Sequence, residues 1–145
     1  MIPRAARHYR QYQHDDISTS NQGQLILMMY EGAVKNAFIA IDCIDNGDLA
    51  GKGKHIRKIH DIINELSLSL DMDKGGDISK RLERLYQFIL SQLTLANIKS
   101  DPKALKNVLG VLKILLEAWS EVVEMQKVEK TPSPEKTAKT ITAHC

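Results

Sequence analysis

The run Ile56-Arg57-Lys58-Ile59-His60-Asp61-Ile62-Ile63-Asn64-Glu65-Leu66-Ser67-Leu68-Ser69-Leu70 decides the fold class. Ile56, Ile59, Ile63, Leu66 and Leu70 recur at spacings of three and four, which places them on one face of an α-helix. Upstream, Asp48 opens this segment, and Gly51 and Gly53 weaken its first turns. Asp45-Asn46-Gly47-Asp48 supplies the turn that separates it from an earlier helix over about residues 22–45, with Asn21 as N-cap and Gln24 completing a capping box. Downstream, the polar, Gly-paired stretch Asp71–Gly76 is a connection, and Asp77 can cap a third helix over about residues 78–97. Its inward stripe reads Ile78, Leu82, Leu85, Ile89, Leu93 and Ala96, while Tyr86, Phe88, Leu90 and Leu95 form a second apolar face. Asp101-Pro102 marks the fourth start most plainly: a capping carboxylate stands before a proline at the first helical position. That helix runs to about Lys127, with Leu105, Val108, Leu109, Leu112, Leu115 or Leu116, Trp119 and Val123 inward.

Four helices joined by short connections predict an all-α fold, an antiparallel up-down four-helix bundle. The division expected is a mobile N-terminal arm over 1–20, the bundle over 21–127 and a disordered tail over 128–145, where Thr131-Pro132-Ser133-Pro134 ends regular structure. The composition agrees: 43% of residues are hydrophobic and only 5% aromatic, a mix richer in helix formers than in strand formers.

Charge and side-chain chemistry narrow the function. The net charge is +2, but Arg4, Arg7 and Arg10 and the lysines after residue 126 supply the excess. The body between them is slightly acidic, which argues against nucleic acid as partner. Neither Cys43 nor Cys145 has a Cys or His at metal-ligand spacing, and a structural disulfide is not expected. No apolar run has signal-peptide or membrane-spanning length, so a cytosolic protein without direct membrane insertion is expected. No Glu is followed three residues later by His, which disfavours a di-metal bundle enzyme. His55 and His60, five apart, fall on different helix faces. No catalytic residue, cofactor or metal is therefore expected.

The first helix is apolar most of the way round: Leu25 to Tyr30, then Ala33, Val34, Ala37 to Ile41 and Ile44. One stripe needs only three or four such residues per two turns. A tight bundle interior, pairing with a second copy and a groove for a partner helix all account for the surplus. The arm, with Tyr9 and Tyr12 one helical turn apart and Ile17 beyond, can cover apolar surface and still detach.

Taken together, the motifs resemble one family. Leu25-Ile26-Leu27-Met28-Met29-Tyr30-Glu31-Gly32-Ala33 resembles the Met-Leu-Tyr-x-Gly-Ala signature of FliS flagellin chaperones. Tyr12 and Ile17 fall where that family carries a Tyr and a small aliphatic residue. Lys74-Gly75-Gly76-Asp77-Ile78 resembles its Gly-Gly-acid-Ile element, Leu85-Tyr86-Gln87-Phe88 its Leu-Tyr-x-Tyr/Phe, and Leu95-Ala96-Asn97 its Ala-Asn motif; Asp101 and Trp119 also stand in place. The chain departs at Gln22, where the family has Pro, and at Met29, where it has Leu. The resemblance implies a cytosolic export chaperone that binds the C-terminal segment of flagellin, blocks its polymerisation and hands it to the cytosolic domain of the flagellar export gate. A co-chaperone or regulator is a further implied partner. It implies Tyr9, Tyr12 and Ile17 as an arm or gate, and Leu25, Met28, Met29, Tyr30, Ala33 and Tyr86 as groove residues. The alternative classes are a helical binding module of another secretion or signalling system and a metal-dependent helical-bundle enzyme.

Overall fold

The computed structural model describes residues 19–130. They form α1 (Thr19–Asp45), α2 (Leu49–Leu68), α3 (Met72–Lys99) and α4 (Pro102–Lys130), and no strand occurs among them. Each helix packs on its two neighbours in a square: α1 lies against α2 and α4, α3 closes the other side, and α1 and α3 stand on the diagonal. This is the four-helix bundle that the periodicity predicts.

Local chemistry sets most helix ends. Asp48 caps α2 by accepting from the Gly51 amide at 2.9 Å. Glycine at 51 lets the cap close tightly, because a Cβ at this position would press on the Asp48 carboxylate and on Cys43 Sγ and displace them. Asp101 accepts the Lys103 amide at 2.9 Å and opens α4 just before Pro102. Gly47 carries the positive φ, +73°, of the turn after α1. At the far end of α3, Ser100 takes a left-handed conformation, and its amide bonds the Ala96 carbonyl.

Three boundaries differ from the sequence reading. α1 already runs through Asn21, so that residue is not its N-cap. The stretch Met72–Gly75 is a helical turn, capped by the Asp71 side chain on the Asp73 and Lys74 amides. Gly76, at φ +53° and ψ −127°, then breaks the helix before it continues. α4 extends to Lys130, three residues past the expected end. The domain division at 1–20 and 128–145 otherwise lies mostly outside the described residues.

The core is aliphatic. α1 contributes Ala33, Ala37 and Ala40, all without exposed surface, and this alanine ridge allows its two neighbours to come close. Ile56, Ile59, Ile63 and Leu66 of α2 are buried as the stripe requires, joined by Ile62. Leu105, Val108, Leu109, Leu112 and Val123 of α4 are buried as well. On α3, Ile89, Leu93 and Ala96 face inward as expected; the stripe is shifted only in the first half of the helix, where Ser79 and Tyr86 are buried and Ile78 and Leu85 are exposed.

Candidate functional site

α3 packs on its neighbours less intimately than α1 does, and two recesses border it. One is a groove of about 610 Å³ between α2 and α3, where Ile56 and Leu93 form the floor and Arg57, Asp61, Asn64 and Asn97 the rim. The other is a cavity of about 380 Å³ at the end of the bundle where α1 and α3 begin and α2 and α4 end. Its walls are Ile26, Leu66, Leu70, Leu82, Leu115 and Trp119. Aliphatic and aromatic walls around few polar groups suit an apolar side chain from a partner.

The polar groups of this cavity are Ser69 and Asp71 at the α2–α3 connection and a pair of tyrosines. Tyr30 of α1 and Tyr86 of α3 reach across the bundle diagonal, and their hydroxyls are 2.5 Å apart. Both residues line the cavity, yet almost none of their surface is exposed. Burial raises the pKa of each phenol. The bond to Tyr86 partly offsets this at Tyr30, while the proximity of Tyr30 and their shared bond raise Tyr86 further. Both hydroxyls therefore stay protonated and neutral. Two hydroxyls share one bond, so one O–H proton is left to serve another acceptor.

Trp119 fixes the opposite wall. Its indole N–H donates to the Gly23 carbonyl at 2.9 Å, tying α4 to the start of α1. A Cβ at Gly23 would lie 2.9 Å from Gln126 Oε1, so glycine permits this close approach. The Gln126 oxygen is buried with no partner among the described residues.

The other end of the bundle is held by Lys52. This lysine is buried, and its Nζ donates to the Asn97 carbonyl at 2.9 Å and to Ser100 Oγ at 2.8 Å. A cation on the last carbonyls of α3 satisfies groups that a helix terminus leaves open, and it complements the helix dipole.

Of the residues named from sequence, Tyr9, Tyr12 and Ile17 lie outside the described residues. Tyr30 and Tyr86 come together as the cavity floor. Leu25, Met29 and Ala33 are core residues, with no side-chain surface to offer a partner; α1 turns this face inward against its neighbours. Met28 is half exposed. Sequence reasoning missed Lys52, which reads as one of two solvated lysines in a Gly-Lys-Gly-Lys helix start. It also missed the cavity walls from Leu82 and Leu115. Both positions were expected to face inward, Leu82 on the α3 stripe and Leu115 or Leu116 on that of α4, but not to wall a cavity.

Among the described residues no three His, Cys, Asp or Glu side chains cluster as a metal site. His55 Nδ1 sits 2.7 Å from Asn36 Oδ1 and His60 Nδ1 3.0 Å from Asn64 Nδ2. Burial, with Lys58 and Lys54 nearby, lowers the pKa of His55. No described helix is long and apolar enough to cross a membrane.

Comparison with known proteins places these features in a family. Residues 5–126 match the family described as flagellar protein FliS. The flagellar secretion chaperone FliS of Salmonella typhimurium is 34% identical over 107 residues, covering 73% of this chain and 79% of that protein. The Vibrio cholerae protein of the same name is 32% identical over 106 residues, 73% of this chain and 78% of that one. The Bacillus subtilis protein is 29% identical over 122 residues, 84% and 90% of the two chains. A crystal structure of a bacterial flagellar chaperone superposes with a TM-score of 0.68 at 23% identity, over 81% of this chain and 96% of that one, which supports the bundle fold.

Proposed function

The chain belongs to the FliS family of flagellar proteins, and on that premise we propose that it is a flagellar secretion chaperone that captures the C-terminal segment of flagellin. Binding keeps that segment from polymerising in the cytosol until the cargo reaches the export gate.

The observation that carries this reading is the open, apolar cavity at the bundle end. A bundle that serves only as a scaffold has no need of a recess walled by Leu66, Leu82, Leu115 and Trp119, and a soluble chain gains by covering such surface. An amphipathic partner segment docks its apolar residues there by the helix-in-groove mode. Ordering a segment that is disordered when free costs several kcal/mol, so the affinity stays within a range that permits release. The groove between α2 and α3, with its charged and amide rim, extends the surface available to a long segment.

The arm regulates the cavity. α1 begins at Thr19 at the cavity end, and Ile26 and Tyr30 on its third and fourth turns line the recess. Tyr12 is seven residues from Thr19, a reach of up to about 25 Å when extended. Tyr9, Tyr12 and Ile17 can thus cover the opening when cargo is absent and yield to it. The cytosolic domain of the export gate then receives the loaded chaperone, and a co-chaperone or regulator is a further partner of this reading.

Co-expression with flagellin tests the proposal. Full-length flagellin should co-purify with the chain, and flagellin shortened by its last ~40 residues, enough for a helical segment of about 60 Å, should not. Equal recovery of both, or of neither, overturns the flagellin reading in favour of another helical cargo.

A further inference from the structure

The tyrosine pair at the floor of the end cavity has hydrogen-bonding capacity that the chain does not use. Each phenol can donate one hydrogen bond and accept others. The bond between them uses the proton of one hydroxyl and a lone pair of the other. Within the described residues neither phenolic oxygen makes a further hydrogen bond. Tyr30 is 3% exposed and Tyr86 2%, so bulk water does not take their place. A buried O–H without an acceptor is destabilising. Phenylalanine at both positions would fill nearly the same space without that penalty, so packing alone does not account for two tyrosines here.

What remains free on the pair is an O–H on one oxygen and lone pairs on the other, 2.5 Å away. A carboxamide presents the complementary set, a carbonyl acceptor beside an N–H donor. We infer that the Tyr30–Tyr86 pair reads a side-chain carboxamide, an Asn or Gln of the flagellin C-terminal segment, inserted into the end cavity. The inference rests on the reading of that cavity as the cargo site. The spare phenol O–H donates to the carboxamide oxygen, and the carboxamide N–H donates to the other phenolic oxygen. Leu66, Leu82, Leu115 and Trp119 supply apolar walls for the stem that carries the amide. An aliphatic tip leaves the spare O–H unmet. A carboxylate has to shed its hydration between those walls, in a lining that contains Asp71 and no basic residue. The pair thus favours a neutral amide over both.

Isothermal titration of the full chain with a peptide of the last ~40 residues of flagellin, long enough for an extended helical segment, tests the inference alongside urea unfolding of each variant. Tyr30→Phe/Tyr86→Phe removes both hydroxyls and strands no partner, so its stability stays near that of the unmodified chain. Its affinity for the peptide should nonetheless fall about 10–100-fold, because the cargo amide is then buried without partners. At least one single variant keeps a hydroxyl facing the cargo and should bind nearly as the unmodified chain does, although it is the less stable protein. Binding and stability thus rank the variants in opposite orders, which a purely structural role cannot produce. Replacing each Asn and Gln of the peptide in turn by Leu or Met identifies the amide. One replacement should weaken binding to the unmodified chain about tenfold or more and leave binding to the double variant unchanged. The inference is overturned if the folded double variant binds as tightly as the unmodified chain, if affinity follows stability across the set, or if no peptide replacement shows that selectivity. Failure of the cargo-site reading looks different: the unmodified chain does not bind the peptide, or Ala118→Phe, which crowds the cavity from an exposed position, leaves the affinity unchanged. Either of those results removes the inference as well.

Discussion

Replacing Tyr86 by Phe removes one oxygen from the floor of the end cavity and leaves the ring in place. Two costs follow. The hydroxyl–hydroxyl bond to Tyr30 contributes about 0.5–1.5 kcal/mol net, and its loss strands the Tyr30 hydroxyl at a buried position for a further ~1–3 kcal/mol. Because Phe fills nearly the same volume, no large cavity term adds to this. The single variant should therefore lose about 2 kcal/mol, a fall in Tm of about 5–10 °C for a chain of this length. Tyr30→Phe should cost a similar amount, since it strands the other partner. The double variant leaves no orphan, and replacing both partners with apolar groups is close to neutral. A double-mutant cycle from urea unfolding should then show a coupling close to the sum of the two single costs, ~4 kcal/mol, with the double variant more stable than either single one. The pH dependence gives an independent check. Both phenols have folded pKa values raised above the ordinary 10.0. Above pH 10 the unfolded chain releases these protons while the native state retains them, so the unfolded state binds fewer protons and native stability falls as pH rises. Stability from this pair is thus complete below about pH 10 and is lost progressively above it. The double Phe variant should show a shallower alkaline decline. Strictly additive single-variant costs, together with an unchanged alkaline slope, would refute the buried pair.

Two further predictions concern the cavity cover and the opposite end. Deleting residues 1–17 should increase binding of a hydrophobic dye and change the affinity for a flagellin C-terminal peptide; no change in either measurement removes the arm's gating role. Lys52→Met retains the buried stem and discards the cation that bonds Asn97 and Ser100. It should cost about 1.5–3 kcal/mol, the range for hydrogen bonds to a charged group. Hydrogen exchange should show the added fraying concentrated at the C-terminus of α3, and uniform protection would contradict that role.

What the sequence determined by itself is local. Helix existence, the α2 stripe, the Asp45–Asp48 turn and the Asp101-Pro102 start all depend on residues within about one turn of each other. Such periodicities and caps act before any distant contact forms. The ordered series of motifs from Tyr12 to Trp119 also marked the family, because each motif holds its place along the chain. The tertiary structure decided which apolar residues face inward where a helix offers more than one greasy face. On α3 a rotation of one position moves burial from Leu85 to Tyr86, and the sequence contains both choices. Only the packing of α1 against α2 and α4 turned Leu25, Met29 and Ala33 into the core. The Tyr30–Tyr86 bond joins residues 56 apart and the Lys52–Asn97 bond residues 45 apart. No local spacing encodes such pairs, because they exist only once helices distant in the chain have packed side by side.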